Sequence, residues 1–119
     1  MWFEPLPDQC PPVDASPPNG TFYRLAEDSL PKCSDFWSHR KLWPSKKFNT
    51  TECLAMSLSV YTDPAQLEAL KLMKPHAKKA IVAVNLTSSA GLVKKTFGPH
   101  HHSWWRNADF DLLKHAVAP

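Results

Sequence analysis

The chain predicts a small α+β fold with a mostly antiparallel sheet and two consecutive helices. Three observations predict it. Residues 20–26, Gly-Thr-Phe-Tyr-Arg-Leu-Ala, are rich in β-favouring types and follow the turn signal Asn19-Gly20. Residues 80–86, Ala-Ile-Val-Ala-Val-Asn-Leu, form a near-continuous apolar run of strand length, which suits an interior strand. Between them stand two helix-start signals, at Asn49 and at Asp63.

Taken in order, residues 1–19 hold prolines 5, 7, 11, 12, 17 and 18 and show no periodicity, so they read as an extended lead. Trp2, Phe3 and Leu6 argue that part of this lead docks, because a solvated arm has no use for them. Residues 20–119 are read as one α+β domain. In the first strand Phe22 and Arg24 face one side, and Tyr23 and Leu25 the other. Residues 27–32 read as a loop, and 34–44 as an aromatic loop packed on the core. Asn49 caps a helix in which Glu52 reaches back. The apolar positions Cys53, Leu54, Met56, Leu58, Val60 and Tyr61 then make that helix buried nearly all round. Asp63-Pro64 starts a second helix with the stripe Leu67, Leu70 and Met73, ended by Lys74-Pro75. After the 80–86 strand, a turn at 87–91 leads to a hairpin partner at 92–96. A His–Trp loop at 99–105 follows, and 109–115 is either a short helix or an edge strand. No internal repeat is present.

Composition excludes several classes. The net charge of +3 and pI near 8.8 are milder than most nucleic-acid binders concentrate, so a nucleic-acid partner is not expected. Arg40, Lys41, Lys46 and Lys47 could still form a local basic face for phosphate. Cys10, Cys33 and Cys53 lack metal-finger spacing and, being odd in number, predict no disulfide framework. No apolar run is long enough for a membrane span, and the N-terminal residues lack the pattern of an export signal. A cytoplasmic protein is expected, so the acceptor patterns at Asn19, Asn49 and Asn85 read as coincidences.

The candidate chemistry centres on His100, His101 and His102, followed by Ser103, Trp104 and Trp105. Imidazoles supply metal ligands, hydrogen bonds or proton transfer near neutral pH. In an extended segment His100 and His102 share a face and His101 points away. A metal site would need further ligands from Cys33, Asp35, His39 or Asp109, and no metal is assigned. Trp104 and Trp105 point opposite ways; one belongs in the core and the other can line a pocket. Arg106 and Asn107 suit phosphate or ribose hydroxyls. Arg24, inside an apolar strand, is either paired with a carboxylate such as Asp35 or Asp109, or an anion clamp. Ser38-His39 has no acid partner and no nucleophile elbow, which argues against a Ser–His hydrolase there. With glycines only at 20, 91 and 98, a glycine-built phosphate cradle is excluded.

Phe22-Tyr-Arg-Leu25, then Asp35-Phe-Trp-Ser-His39, then the apolar stretch 52–61 resemble the first half of small ADP-ribosyltransferase-like proteins of the RES type, which consume NAD. The resemblance covers roughly residues 20–62. It implies a split-barrel sheet around the dinucleotide, with Arg24 on phosphate or ribose and Ser38 on the nicotinamide ribose. His39, Trp104, Trp105 and Arg106 would complete the substrate-binding set. That family's late glutamate has no counterpart, since no glutamate follows Glu68. His100, His101 or His102 would have to act as the catalytic group instead. The resemblance makes NAD a candidate substrate and names no cofactor. The expected function is recognition of NAD or a related nucleotide, with transfer or hydrolysis where the site is complete. The alternative is a small non-enzymatic regulator that binds a protein partner through Trp2, Phe3, Phe36, Trp37, Trp43, Trp104 and Trp105. Its size suits small bacterial or phage regulators by analogy alone.

Overall fold

The computed structural model describes residues 1–112 and 116–117. It is a small α+β fold built on one antiparallel sheet. The strands are β1 (Gly20–Ala26), β2 (Leu58–Tyr61), β3 (Ala80–Leu86), β4 (Gly91–Lys95), β5 (His101–Arg106) and β6 (Ala116–Val117). Their spatial order is β4-β5-β2-β1-β3-β6. The described helices are short: α1 (His39–Leu42), α2 (Glu52–Ala55) and α3 (Pro64–Leu70).

β1 and β3 occur at their expected positions and pair in continuous register, from Gly20 opposite Leu86 to Ala26 opposite Ala80. β3 is interior, between β1 and β6, which is where an unbroken apolar run belongs. α3 also starts where its signal stands. Asp63 accepts from the Ala65 N–H at 2.9 Å, and Pro64 takes the first turn. Leu67 is buried, but the helix ends at Leu70 and Met73 is 55% exposed, so the predicted stripe stops short of Met73.

Four expectations are corrected. The buried helix over 52–61 is one helical turn followed by a strand. Thr51, not Asn49, caps α2 through the Leu54 N–H, and Glu52 pairs with Arg40. Leu58 and Val60 are buried while Ser59 is exposed. That alternation of period two is a strand's, and it had been hidden in an all-apolar count. The two expected helices are therefore separated by β2. The residues expected as a hairpin partner of β3 form β4, which pairs with β5 at the far edge. The His–Trp loop is strand β5, paired on both sides. The aromatic loop at 34–44 holds a 3₁₀ turn at Cys33–Phe36 and the helix α1. Of 109–115, residues 113–115 lie outside the described part.

The connection from β3 to β4 shapes the molecule. Four residues separate Leu86 from Gly91, so the span of five chain steps reaches at most about 17 Å. Four interstrand spacings across a flat sheet come to about 19 Å. The 3₁₀ turn Ser88–Ala90 shortens the reach further, so the sheet must curl to bring the start of β4 near the end of β3. It curls around a core of Phe22, Phe36, Leu58, Val60, Val82, Val84, Val93, Trp104 and Phe110. It does not close into a barrel.

Residues 1–19 lie against this sheet. The Phe3 N–H donates to the Arg106 carbonyl at 3.0 Å, and Ser16 exchanges two backbone bonds with Val93 at 2.9 and 2.8 Å. The second contact covers the outer edge of β4. Cys10 is disulfide-bonded to Cys53, while Cys33 is free and exposed. The odd cysteine count thus concealed one bridge and one spare thiol, correcting the expectation of no disulfide. Such bridges persist in oxidising compartments, which weighs against reading a cytoplasmic location from cysteine spacing. Among the described residues no helix is long and apolar enough to cross a membrane.

Candidate functional site

Arg24 is the organising residue. β1 and β2 share a single paired position, Tyr23 opposite Tyr61. Beyond it the Arg24 side chain bridges the strands: Nη1 donates to the Ser59 carbonyl at 2.7 Å and Nε to the Asp35 carbonyl at 2.8 Å. The Asp35 carboxylate is occupied elsewhere, by the Glu27 and Lys32 N–H groups. Among the described residues Arg24 therefore forms no ion pair, neither with Asp35 nor with Asp109. Burial pushes its guanidinium down to about 10, opposed by the Asp35 carboxylate and by Tyr61. The group is still cationic at neutral pH.

Three adjoining hollows meet at Arg24 and His39. The first, about 180 Å³, is also lined by Phe48, Ser59, Phe97 and His101. The second, about 150 Å³, reaches Lys79, and the third, about 310 Å³, reaches Tyr61 and His76. His39 stacks on Phe48 with ring centroids 6.0 Å apart. Burial, then the charges of Arg24, Lys46 and Lys79, hold His39 below its ordinary pKa. Burial does the same to His101, with the Thr96 hydrogen bond opposing and His102 adding. Both imidazoles are thereby biased toward the neutral form, beside a fixed cation.

β5 separates the three histidines. His100 precedes the strand and meets the Thr62 hydroxyl through Nδ1 at 3.2 Å. His101 faces the cleft, bonded to Thr96 and Ser59. His102 points through the opposite face, edge-on to Phe22 at 5.6 Å. His100, His101 and His102 thus form no joint catalytic group. Among the described residues no three His, Cys, Asp or Glu side chains come together as metal ligands.

Five expected ligand contacts are structural instead. Ser38 is 1% exposed. Its hydroxyl donates to Glu4 Oε1 and accepts from the Lys41 N–H at 3.1 Å, capping α1. It has no room for a ribose. Trp104 and Trp105 are both fully buried and donate to the carbonyls of Ala90 and Cys53 at 3.0 and 2.9 Å. Neither lines the three hollows at Arg24, and with Phe36 they lie beneath the surface. Arg106 donates to the Phe36 carbonyl at 2.9 Å and stacks 3.6 Å over Phe3. Arg40, from the suggested basic face, is spent on Glu52 at 2.7 and 3.0 Å and on the carbonyls of Pro44 and Lys46.

The structure brings Arg24, His39 and His101 into one cleft. Sequence reasoning missed Ser59, Phe48, Phe97 and Thr96. Only the Leu-Ser-Val-Tyr alternation at 58–61 carried a usable signal for Ser59. Phe97 is a non-glycine residue at φ 59° and is 78% exposed, beside His101 with ring centroids 5.4 Å apart. Backbone strain of this kind gathers at functional sites. Compared with protein-family models, curated proteins and solved structures, the chain matches none of them.

Proposed function

We propose that the cleft around Arg24 recognises NAD or a related nucleotide through its phosphates. The observation that carries the reading is Arg24 itself: a half-buried guanidinium, opening on three hollows, whose described hydrogen bonds go to the carbonyls of Asp35 and Ser59. A half-buried cation whose hydrogen bonds go to carbonyl oxygens gains from an anionic ligand. Guanidinium suits phosphate oxygens in particular. His39 offers a neutral imidazole for a sugar hydroxyl, and Phe48 and Phe97 offer flat surface for a ring. The ADP-ribosyltransferase resemblance placed its phosphate contact on Arg24, which agrees with this reading. The ribose contact it placed on Ser38 falls to His39 instead.

The test is a thermal-shift titration with NAD, beside ATP and inorganic phosphate. A ligand that binds only the folded state raises the midpoint with concentration. A saturable rise with NAD is expected, with Arg24→Lys weakening apparent affinity about tenfold. Arg24→Lys keeps the cation and so keeps the fold if Arg24→Ala does not. A flat response of the parent protein to both nucleotides overturns the reading. Release of nicotinamide during the incubation then decides between binding and turnover.

A further inference from the structure

Ser59 and His101 come from neighbouring strands. The β2–β5 register sets Ser59 opposite Ser103 and Tyr61 opposite His101, so Ser59 and His101 are diagonal neighbours on one face. Ser59 Oγ lies 2.9 Å from His101 Nε2. On the far side of the ring, Nδ1 is 3.0 Å from the Thr96 carbonyl oxygen and 3.0 Å from the Thr96 hydroxyl. A carbonyl only accepts, so Nδ1 carries the ring proton and donates. Nε2 is left with its lone pair directed at the Ser59 hydroxyl. The Thr96 hydroxyl is itself anchored on Ser103 at 2.9 Å, which fixes the ring's orientation. Ser59 is exposed and lines two of the hollows, and its own carbonyl is held by Arg24.

This arrangement has the three parts of an activated nucleophile: a hydroxyl, a base in hydrogen-bond reach, and a group that orients the base. We infer that Ser59 is a nucleophile with His101 as its general base, and that the cleft hydrolyses small carboxylic esters. Phe48, Leu54 and Phe97 give the first hollow an apolar wall for the acyl group. Arg24 is a positioning residue that holds the β2 backbone beneath the nucleophile.

The chemistry balances with water as the second reactant. Ser59 Oγ forms a bond to the ester carbonyl carbon as its proton passes to His101 Nε2. The bond from that carbon to the alcohol oxygen breaks, the oxygen keeps the electron pair, and Nε2 returns the proton to it. Water then attacks the acyl-Ser59 carbon while giving a proton to Nε2. The carbon–Oγ bond breaks, and Ser59 regains its proton. The sum is ester plus water to carboxylic acid plus alcohol.

The test joins a fluorophosphonate label, located by mass spectrometry, to p-nitrophenyl acetate hydrolysis. The parent protein should carry one adduct on Ser59. Ser59→Ala, at an exposed position, should stay folded by circular dichroism and lose both adduct and hydrolysis. His101→Gln should slow labelling about 100-fold or more. The groups facing His101 are Tyr61 on β2, His39 and Arg24 across the cleft, and His102 on its own strand. Burial, with His102 adding and the Thr96 hydrogen bond opposing, holds the imidazole below its ordinary value, so the labelling rate should be flat above 6.5 and fall at lower pH. A merely structural Ser–His pair would show no such profile. Absence of an adduct on Ser59 overturns the inference, as does equal hydrolysis by Ser59→Ala or equal labelling of His101→Gln. The NAD midpoint shift of the parent protein reads binding alone and the fluorophosphonate adduct reads the nucleophile alone, so failure here and failure of the nucleotide reading are seen separately.

Discussion

The Ser38 hydroxyl donates to a buried carboxylate and accepts from a helix N–H, so its removal leaves two buried polar groups short of a partner. Ser38→Ala should therefore lower stability by about 1–3 kcal/mol, read by urea unfolding. It should leave the NAD midpoint shift intact; a lost shift in folded protein would return Ser38 to the site. Gly91 makes a second argument at this scale. Its φ is +131°, and a Cβ there would stand 2.0 Å from the Trp105 carbonyl oxygen, which is backbone and cannot yield. Gly91→Ala should cost at least about 2 kcal/mol, or leave the chain unfolded. A neutral outcome would mean that β4 can move away from the Trp105 carbonyl at little cost. Neither role could be read from sequence. Ser38 sits in a short Phe-x-Ser string, and nothing local tells that Glu4, far away in the chain, comes to meet it.

At the scale of elements, β1, β3 and α3 were legible because their signals are local. A turn residue, an unbroken apolar run and an Asp-Pro start need no partner to be recognised. β2 and β5 were not. Each is a strand because neighbours pair with it on both sides, and the four-residue alternation Leu-Ser-Val-Tyr of β2 is too short a mark to outweigh the apolar run around it. The same pairing sends His101 into the cleft and half-buried His102 to the opposite face, against Phe22. The disulfide is also an element-level device, since it ties the N-terminal lead to α2 across a separation of 43 residues. The chain-entropy relation gives such a loop about 4 kcal/mol. The double variant Cys10→Ser, Cys53→Ser should lose stability of that order in denaturant unfolding. A loss below about 1 kcal/mol would show that the lead is held by its backbone bonds alone.

For the whole molecule, the histidines set the response to acid. His39, His101 and His102 are all held below 6.5, first by burial. Between the folded and unfolded values the unfolded chain binds more protons, so stability rises with pH there. The contribution is complete above about pH 6.5 and is lost as pH falls through the folded values. Asp14 and Glu52, lowered by hydrogen bonds from Lys94 and Arg40, extend the loss to lower pH. The urea midpoint should thus be lower at pH 5.5 than at pH 7.5, and an equal or higher midpoint would contradict this. The sequence by itself determined the α+β class, the strands 20–26 and 80–86, the start of α3 and the cation at Arg24. Periodicity, capping and composition act within a dozen residues, which is the range that sequence reading covers. Only the tertiary structure decided that the sheet curls, that both tryptophans are core, and that Ser59 meets His101. Those outcomes follow from which strands pair and in what register, and register is fixed by burying apolar faces that lie far apart in the chain.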